Sequence, residues 1–80
     1  MIVNKKGTIN IENFGLVITP ELTLGDLLNN PNSKNFRLNR SNDDFVQYEI
    51  AKALIENLPF FVYLDFYKNK ISQSICDILH

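Results

Sequence analysis

Eighty residues with one cysteine, one histidine and a net charge of −1 allow one small domain and exclude several ways of stabilising it. A chain of this length buries only about 60% of the surface that its unfolded form exposes, so its stability is expected to be marginal. Cys76 has no partner for an internal disulfide, and Cys76 with His80 cannot make a histidine–cysteine zinc site. We therefore expect no metal and no cofactor, and we expect stabilisation by self-association or by a partner protein.

The charges also narrow the classes of partner. The eight basic and nine acidic residues are spread evenly, without the cluster of cations that a duplex-binding surface needs. No stretch approaches the roughly 18 apolar residues of a membrane span, and the N-terminus lacks the order of a signal peptide. We predict a cytoplasmic protein that binds neither nucleic acid nor membrane. Eleven asparagines against two arginines indicate an AT-rich genome, hence a bacterium.

The first 18 residues predict a meander of three short strands. Ile2-Val3 is the first, residues 8–11 form the second, and Leu16–Ile18 form the third. Turns are predicted at residues 5–7 and 12–15, each containing a glycine. The alternation in the second strand places Ile9 and Ile11 on one face.

A helix is predicted over residues 23–29. Thr23 and Asp26 have the spacing of a capping box, with aspartate in place of glutamate. Leu24, Leu27 and Leu28 form an apolar stripe at helical spacing, and Asn29-Asn30-Pro31 ends it. Gly25 costs such a short helix roughly 1 kcal/mol relative to alanine, so packing of the leucines must hold it in place.

The middle of the chain has a sequence that fits more than one secondary structure. Residues 35–40 alternate as a strand, with Phe36 and Leu38 on one side, and residues 41–44 break it. Residues 44–57 fit two readings. Helix propensity, a cap at Ser41 and a helical apolar stripe favour a second helix, whereas Val46, Tyr48 and Ile50 alternate as a strand would. Local propensity favours the helix, and strand stays open.

Residues 60–79 predict a long β-hairpin that contributes most of the core, with Asn69-Lys70 at its tip. In that register Leu64 faces Ile75 and Val62 faces Asp77. One face then forms the core and carries Phe60, Val62, Leu64, Phe66, Ile71, Ile75 and Leu79. The other face carries Phe61, Tyr63, Asp65, Tyr67, Ser72, Ser74, Cys76 and Ile78, and it needs either a helix or a binding partner over it.

Residues that could support catalysis are few. Asp65 between two tyrosines could be an acid with a perturbed pKa, or a charge that discourages edge pairing. Asp43-Asp44 could bind a divalent cation with Asn42, or cap a helix. Cys76 has no basic neighbour in sequence to activate it, and no glycine-rich phosphate loop or hydrolase motif occurs. We therefore predict that the chain is not an enzyme.

The aromatic residues give the one candidate recognition surface. Phe61, Tyr63 and Tyr67, joined by Tyr48, are of the types enriched at protein interfaces. The alternative is that they cover the core beneath a helix. The candidate partner-binding residues are Phe61, Tyr63, Asp65 and Tyr67.

Two segments resemble a known class of proteins. GLVITPELTL at residues 15–24 and LDFYKNKI at residues 64–71 are similar to small bacterial proteins that include immunity proteins of toxin–antitoxin and contact-dependent inhibition systems. In such proteins tryptophan-containing sequence follows the hairpin, so the resemblance implies a truncated copy. It also implies strand within residues 46–58, against local propensity.

Together these observations predict an α+β fold: one antiparallel sheet of about five or six strands, a helix at 23–29 and a second helix or strand at 44–57. Residues 1–80 form a single domain, or the N-terminal part of a longer protein. The predicted function is protein binding, most specifically neutralisation of a toxin by an immunity-like protein. The alternative is a structural domain that self-associates, for example as a homodimer.

Overall fold

The computed structural model describes residues 8–78, which form six strands in two antiparallel sheets. The strands are β1 (Ile9–Ile11), β2 (Leu16–Ile18), β3 (Arg37–Asn42), β4 (Phe45–Ile55), β5 (Leu58–Tyr67) and β6 (Lys70–Ile78). One sheet contains β1 and β2, and the other has the order β3-β4-β5-β6. The sheet-rich architecture with one short α-helix agrees with the predicted class. The prediction of a single sheet is wrong.

The N-terminal hairpin follows the sequence pattern closely. β1 pairs antiparallel with β2, and a 3-10 helix, Glu12–Phe14, joins them. Gly15 ends that helix with φ at 60°, a conformation that costs glycine little. Ile11 is fully buried and Ile9 packs against the core, as their alternation predicts. The predicted strand Ile2-Val3 and the turn at residues 5–7 lie outside the described residues.

Helix α1 (Leu24–Leu28) forms where the capping box predicts it. The Thr23 hydroxyl accepts from the Asp26 backbone nitrogen at 3.1 Å, and the Asp26 carboxylate accepts from the Thr23 backbone nitrogen at 3.1 Å. Leu27 is fully buried, which anchors the helix by packing. Within residues 8–78, no helix has the length and apolar content to cross a membrane.

Tight turns connect the four long strands. Asp43-Asp44, Glu56-Asn57 and Lys68-Asn69 are each the two residues between paired strand ends. Both residues of the second and third turns have positive φ, which matches the type I′ geometry favoured by the twist of β-hairpins. The tip of the last hairpin is therefore Lys68-Asn69, and the predicted tip at Asn69-Lys70 is wrong by one residue.

Residues 45–55 are strand, so the helix favoured by local propensity is wrong. Ile50 pairs with Val62 and Ala53 pairs with Phe60, which leaves one extra residue in β4 between the two pairs. This β-bulge places both Ile50 and Ala53 on the buried face, three residues apart. In the sequence, two apolar residues three positions apart are the pattern expected for one face of a helix. The cap predicted at Ser41 does not form, because Ser41 lies in β3.

A second bulge moves β6 from its predicted register. Asp65 pairs with Gln73 and Phe66 with Ile71, so Ser72 is an extra residue, and its hydroxyl donates to the Asp65 carbonyl at 3.2 Å. Shifting the register by one residue turns every side chain to the other face. Opposite Leu64 and Val62 lie Ser74 and Cys76, which are buried, rather than Ile75 and Asp77. Ile75 and Ser74 therefore exchange their predicted faces.

The core lies between the four-stranded sheet and a layer made by β1, β2, α1 and the segments around them. Its buried apolar residues are Ile11, Leu16, Ile18, Leu22, Leu27, Phe36, Ile50, Ala53, Phe60, Val62, Leu64, Phe66 and Cys76. Leu38, predicted to lie on the same side as Phe36, pairs with Tyr48 on the core side, but it is 52% exposed because β3 is an edge strand of the sheet. One side of the four-stranded sheet thus carries the core. We call the opposite side the outer face.

Candidate functional site

Three rungs of directly paired residues make up the centre of the outer face. The first rung is Arg37, Glu49, Tyr63 and Ile75, and the second is Arg40, Gln47, Asp65 and Gln73. The third is Asn42, Phe45, Tyr67 and Lys70. Directly paired residues point to the same side of an antiparallel sheet, so these side chains share one surface. All four predicted partner-binding residues, which alternate along β5, lie on it.

Phe61 and Tyr63 form a stacked aromatic pair on this face. Their ring centroids are 6.1 Å apart and the ring planes differ by 10°. Both rings are half-buried, so each keeps one surface that another molecule can cover. Aromatic pairs of this geometry contribute about 0.5–1.5 kcal/mol beyond their buried area, which fixes the position of both rings before any partner arrives.

A polar row crosses the face beside the aromatic pair. The Asn39 side-chain nitrogen donates to the Gln47 side-chain oxygen at 2.6 Å, and the Gln47 nitrogen donates to the Asp65 carboxylate at 2.7 Å. Asn39 is the extra residue of a bulge in β3, between Leu38 and Arg40. Asp65 lies on an interior strand, so the interpretation that it protects a sheet edge is wrong. Its observed role is to accept a hydrogen bond within an ordered row.

Tyr67 lies at the end of the face near the Lys68-Asn69 turn. It is 53% exposed, and the Lys68 ammonium nitrogen lies 5.5 Å from its ring centroid. Such a cation–π contact at an exposed site contributes about 0.5–1 kcal/mol. Tyr48, which was grouped with the recognition surface, is on the opposite side: it pairs with buried Leu64 and packs against the core.

Charge changes sign across the outer face. The edge strand β3 contributes Arg37 and Arg40, whereas the three strands beside it contribute the carboxylates of Glu49, Asp65 and Asp77. Lys70 is the basic residue of β6 in the third rung. The aromatic pair thus lies between the basic edge strand β3 and Asp77 of β6, with Glu49 directly between Arg37 and Tyr63.

The groups considered for chemistry occupy structural positions. Cys76 is 1% exposed, and burial raises the pKa of its thiol above the usual value, so the reactive thiolate is disfavoured. Asp43 and Asp44 form the β3–β4 turn, where the Asp44 carbonyl accepts from the Lys68 backbone nitrogen at 2.8 Å. Among residues 8–78, no three histidine, cysteine, aspartate or glutamate side chains are close enough together to hold a metal ion.

Sequence reasoning missed the part of the face that β3, β4 and β6 provide. Gln47 and Glu49 were missed because residues 44–57 were favoured as helix, and Ile75 because the bulge at Ser72 was not foreseen. Two signals were available. Gln47 and Glu49 alternate with Val46, Tyr48 and Ile50, and the pair Glu56-Asn57 before Leu58-Pro59 suits a two-residue turn.

With this geometry described, the chain was compared with known proteins: no protein-family model, no curated protein and no solved structure matches it.

Proposed function

We propose that this chain is a non-enzymatic protein-binding module that engages its partner with the outer face of the four-stranded sheet. The observation that carries the proposal is the stacked Phe61–Tyr63 pair on a sheet face whose other side already holds the core. Aromatic side chains held rigidly on a surface bury much area at little cost in conformational entropy. The function is therefore assigned to recognition rather than to a reaction.

The most specific form of this proposal is an immunity-like protein that neutralises a bacterial toxin by covering part of its surface. Its support is the resemblance of residues 15–24 and 64–71 to proteins of that type. The second segment contributes Asp65 and Tyr67 to the outer face and forms the hairpin tip. A partner that covers the outer face would contact the second segment and the hairpin tip, whereas the first segment lies in the layer on the other side of the sheet.

Binding by the face is favoured over binding by the exposed edge of β3. A sheet edge recruits another strand when it is long, flat and apolar. β3 has a bulge at Asn39, and its exposed residues include Arg37 and Arg40. Bulges and charges on an edge strand are the features that discourage pairing with a further strand.

The charge pattern of the outer face defines the partner's surface. The partner should present apolar side chains opposite Phe61 and Tyr63. It should present carboxylates opposite Arg37 and Arg40, and cationic groups on the other flank opposite Asp77. Complementary charges of this kind set orientation and association rate more than affinity.

Self-association through the same face is the alternative. A two-fold axis parallel to the strands would lay β3 of one copy over β6 of the other, with Arg37 over Ile75 and Arg40 over Gln73 of the second copy. Four strands spaced by about 4.8 Å, over roughly 26 Å of strand, bury on the order of 1,000 Å² in total. That area is at the lower limit for a specific interface, so the dimer would be weak.

Coexpression with the product of the adjacent reading frame tests the proposal. If that product is toxic to bacteria, coexpressed wild-type chain should restore growth, and the purified proteins should bind in calorimetry. The variant Tyr63→Ala should lose at least tenfold in affinity, as expected for a central aromatic anchor. Val17→Ala is the matched control, because Val17 is similarly apolar, 48% exposed and in the other layer.

Sedimentation velocity over a range of concentrations separates the two forms of the proposal. A monomer at all concentrations together with tight binding to the neighbouring product supports the heteropartner. A dimer that dissociates in Tyr63→Ala and at high salt, without such binding, supports self-association. A monomer whose Tyr63→Ala variant binds and protects as well as wild type would refute the outer face as the site.

A further inference from the structure

A cleft opens between the two layers at the end of the protein where β4 turns into β5. Its volume is about 480 Å³, which lies within the roughly 300–1,000 Å³ of small-ligand sites. β1 lines one side and the residues around the Glu56-Asn57 turn line the other. Phe60 and Cys76, which belong to the core, also line it, so the cleft is on the opposite side of the sheet from the outer face.

The interior of the cleft is apolar. Phe60 and Cys76 are buried, and Ile9 and Ile55 are half-buried beside them. Leu58, which is 50% exposed, also lines the cleft. When a ligand covers such a partly exposed leucine, the complex is stabilised by about 25 cal/mol for each Å² of apolar surface removed from water. The cleft therefore suits a ligand with an apolar body.

The charged side chains among residues 8–78 that line the cleft are both carboxylates. Glu12, at the start of the first 3-10 helix, and Glu56, in the β4–β5 turn, both line it, and no lysine or arginine of that part of the chain lines it. Thr8 and Asn10 add side-chain oxygens that can accept hydrogen bonds. Two carboxylates from separate elements make the cleft attractive to a cation and repulsive to an anion.

We propose that this cleft binds a small amphipathic cation, an apolar body that carries one ammonium or guanidinium group. The apolar body lies between Ile9, Ile55 and Phe60, and the cation lies near Glu12 and Glu56. The same chemistry is offered by a free amine and by a lysine or arginine side chain of a peptide. The cleft is separate from the outer face, so this site stands or fails independently of the proposed function.

Titration of the full chain with n-hexylammonium, followed by NMR, tests the proposal at low ionic strength and pH 7. Saturable shifts are expected at the methyl groups of Ile9, Ile55 and Leu58, with 1-hexanol binding about three- to tenfold more weakly because it lacks the charge. N-acetyl-lysine methylamide, titrated in parallel, presents the cation from a peptide backbone. Tighter binding by one of the two amines identifies the source of the ligand.

Two double variants separate the cleft carboxylates from charge in general. Glu12→Gln with Glu56→Gln should reduce the affinity for hexylammonium to that for hexanol, since both glutamates are exposed and glutamine preserves the fold. Glu21→Gln with Asp43→Asn removes the same charge at exposed positions outside the cleft and should leave the affinity unchanged. Equal binding of amine and alcohol, or no saturable shift in the cleft, would overturn the proposal.

Discussion

The Asn13 side chain binds the backbone of the β4 bulge at Lys52. Its side-chain nitrogen donates to the Lys52 carbonyl at 2.9 Å, and its oxygen accepts from the Leu54 backbone nitrogen at 3.0 Å. A bulge interrupts the regular ladder, and Asn13 replaces the hydrogen bonds that a neighbouring strand would make. Lys52 itself has φ at 57°, so the contact also holds a backbone conformation that is unfavourable for lysine.

Asn13→Ala should therefore destabilise the protein by about 1–2 kcal/mol, the sum of two hydrogen bonds of ordinary net strength. The free energy of unfolding in urea measures this loss. Asn10→Ala is the matched control, because Asn10 is an exposed asparagine in the neighbouring strand β1. If the two variants are equally stable, the bulge does not depend on Asn13.

Two glycines should respond to the same substitution with opposite signs. Gly25 lies in α1, and a Cβ there would come no closer than 3.8 Å to the Thr23 hydroxyl, an ordinary contact. Gly25→Ala should stabilise the protein by about 0.5–1 kcal/mol through helix propensity. Gly15 has open space around it but φ at 60°, so Gly15→Ala should cost about 1 kcal/mol.

Urea unfolding of both glycine variants checks this pair. The comparison separates backbone conformation from space, because the less crowded site is expected to be the less tolerant one. A stabilised Gly15→Ala variant would show that the loop between β1 and β2 does not require the left-handed conformation.

The elements that local rules determine were predictable from sequence. The capping box of Thr23 and Asp26 fixes where α1 begins within one turn of the chain. β1 and β2 follow from short alternating runs on either side of a glycine turn. The alternation of residues along β5 likewise predicted that the four candidate residues share one face. This prediction does not depend on which strands pair with β5.

What could not be predicted depends on bulges, which are decided by contacts between distant segments. The bulge in β4 disguises a strand as a helix, and Asn13, which holds it, is far away in sequence. The bulge at Ser72 exchanges the faces of Ser74 and Ile75. The outer face was therefore foreseen on β5 alone, without the polar and charged residues on either side.

The register of β6, and with it the bulge at Ser72, can be tested by substitutions. Ser74 is 3% exposed and lies opposite Leu64, whereas Gln73 lies on the outer face opposite Asp65. Ser74→Leu should overpack the core and lower the free energy of unfolding by about 1–3 kcal/mol. Gln73→Leu should change the free energy of unfolding by less than about 0.5 kcal/mol. In the register without the bulge, Ser74 would lie on the outer face and Ser74→Leu would not crowd the core, whereas Gln73 would lie opposite Leu64 on the core side.

NMR provides an independent check on the same register. Tyr63 and Ile75 are directly opposite, so nuclear Overhauser effects should join their backbone protons and their side chains. Contacts that place Leu64 directly opposite Gln73 would show instead that the bulge at Ser72 is absent. Stability and spectra must agree, because a Ser74→Leu variant could also lose the polar interaction that Ser74 makes.

The buried thiol of Cys76 should make stability depend on pH in the alkaline range. Burial raises the pKa of this thiol above its ordinary value of 9.0. In the unfolded chain the thiol ionises near that ordinary value. Above it, the folded state binds more protons than the unfolded state, so the free energy of unfolding falls as pH rises, by at most about 1.4 kcal/mol for each pH unit. Below it, both states are protonated and the contribution is constant.

The free energies of unfolding of wild type and of Cys76→Ala can be measured in urea with reductant, at pH 7 and at intervals up to pH 10. The difference between the two values at each pH gives the contribution of the thiol. The other ionisable groups are common to both proteins, so their effects cancel when the two curves are subtracted. The alanine variant should be less stable at pH 7, because it leaves a small cavity, and the gap should narrow as pH rises. A gap independent of pH would mean that the thiol ionises equally easily in both states, which would contradict its burial beneath the β1–β2 layer.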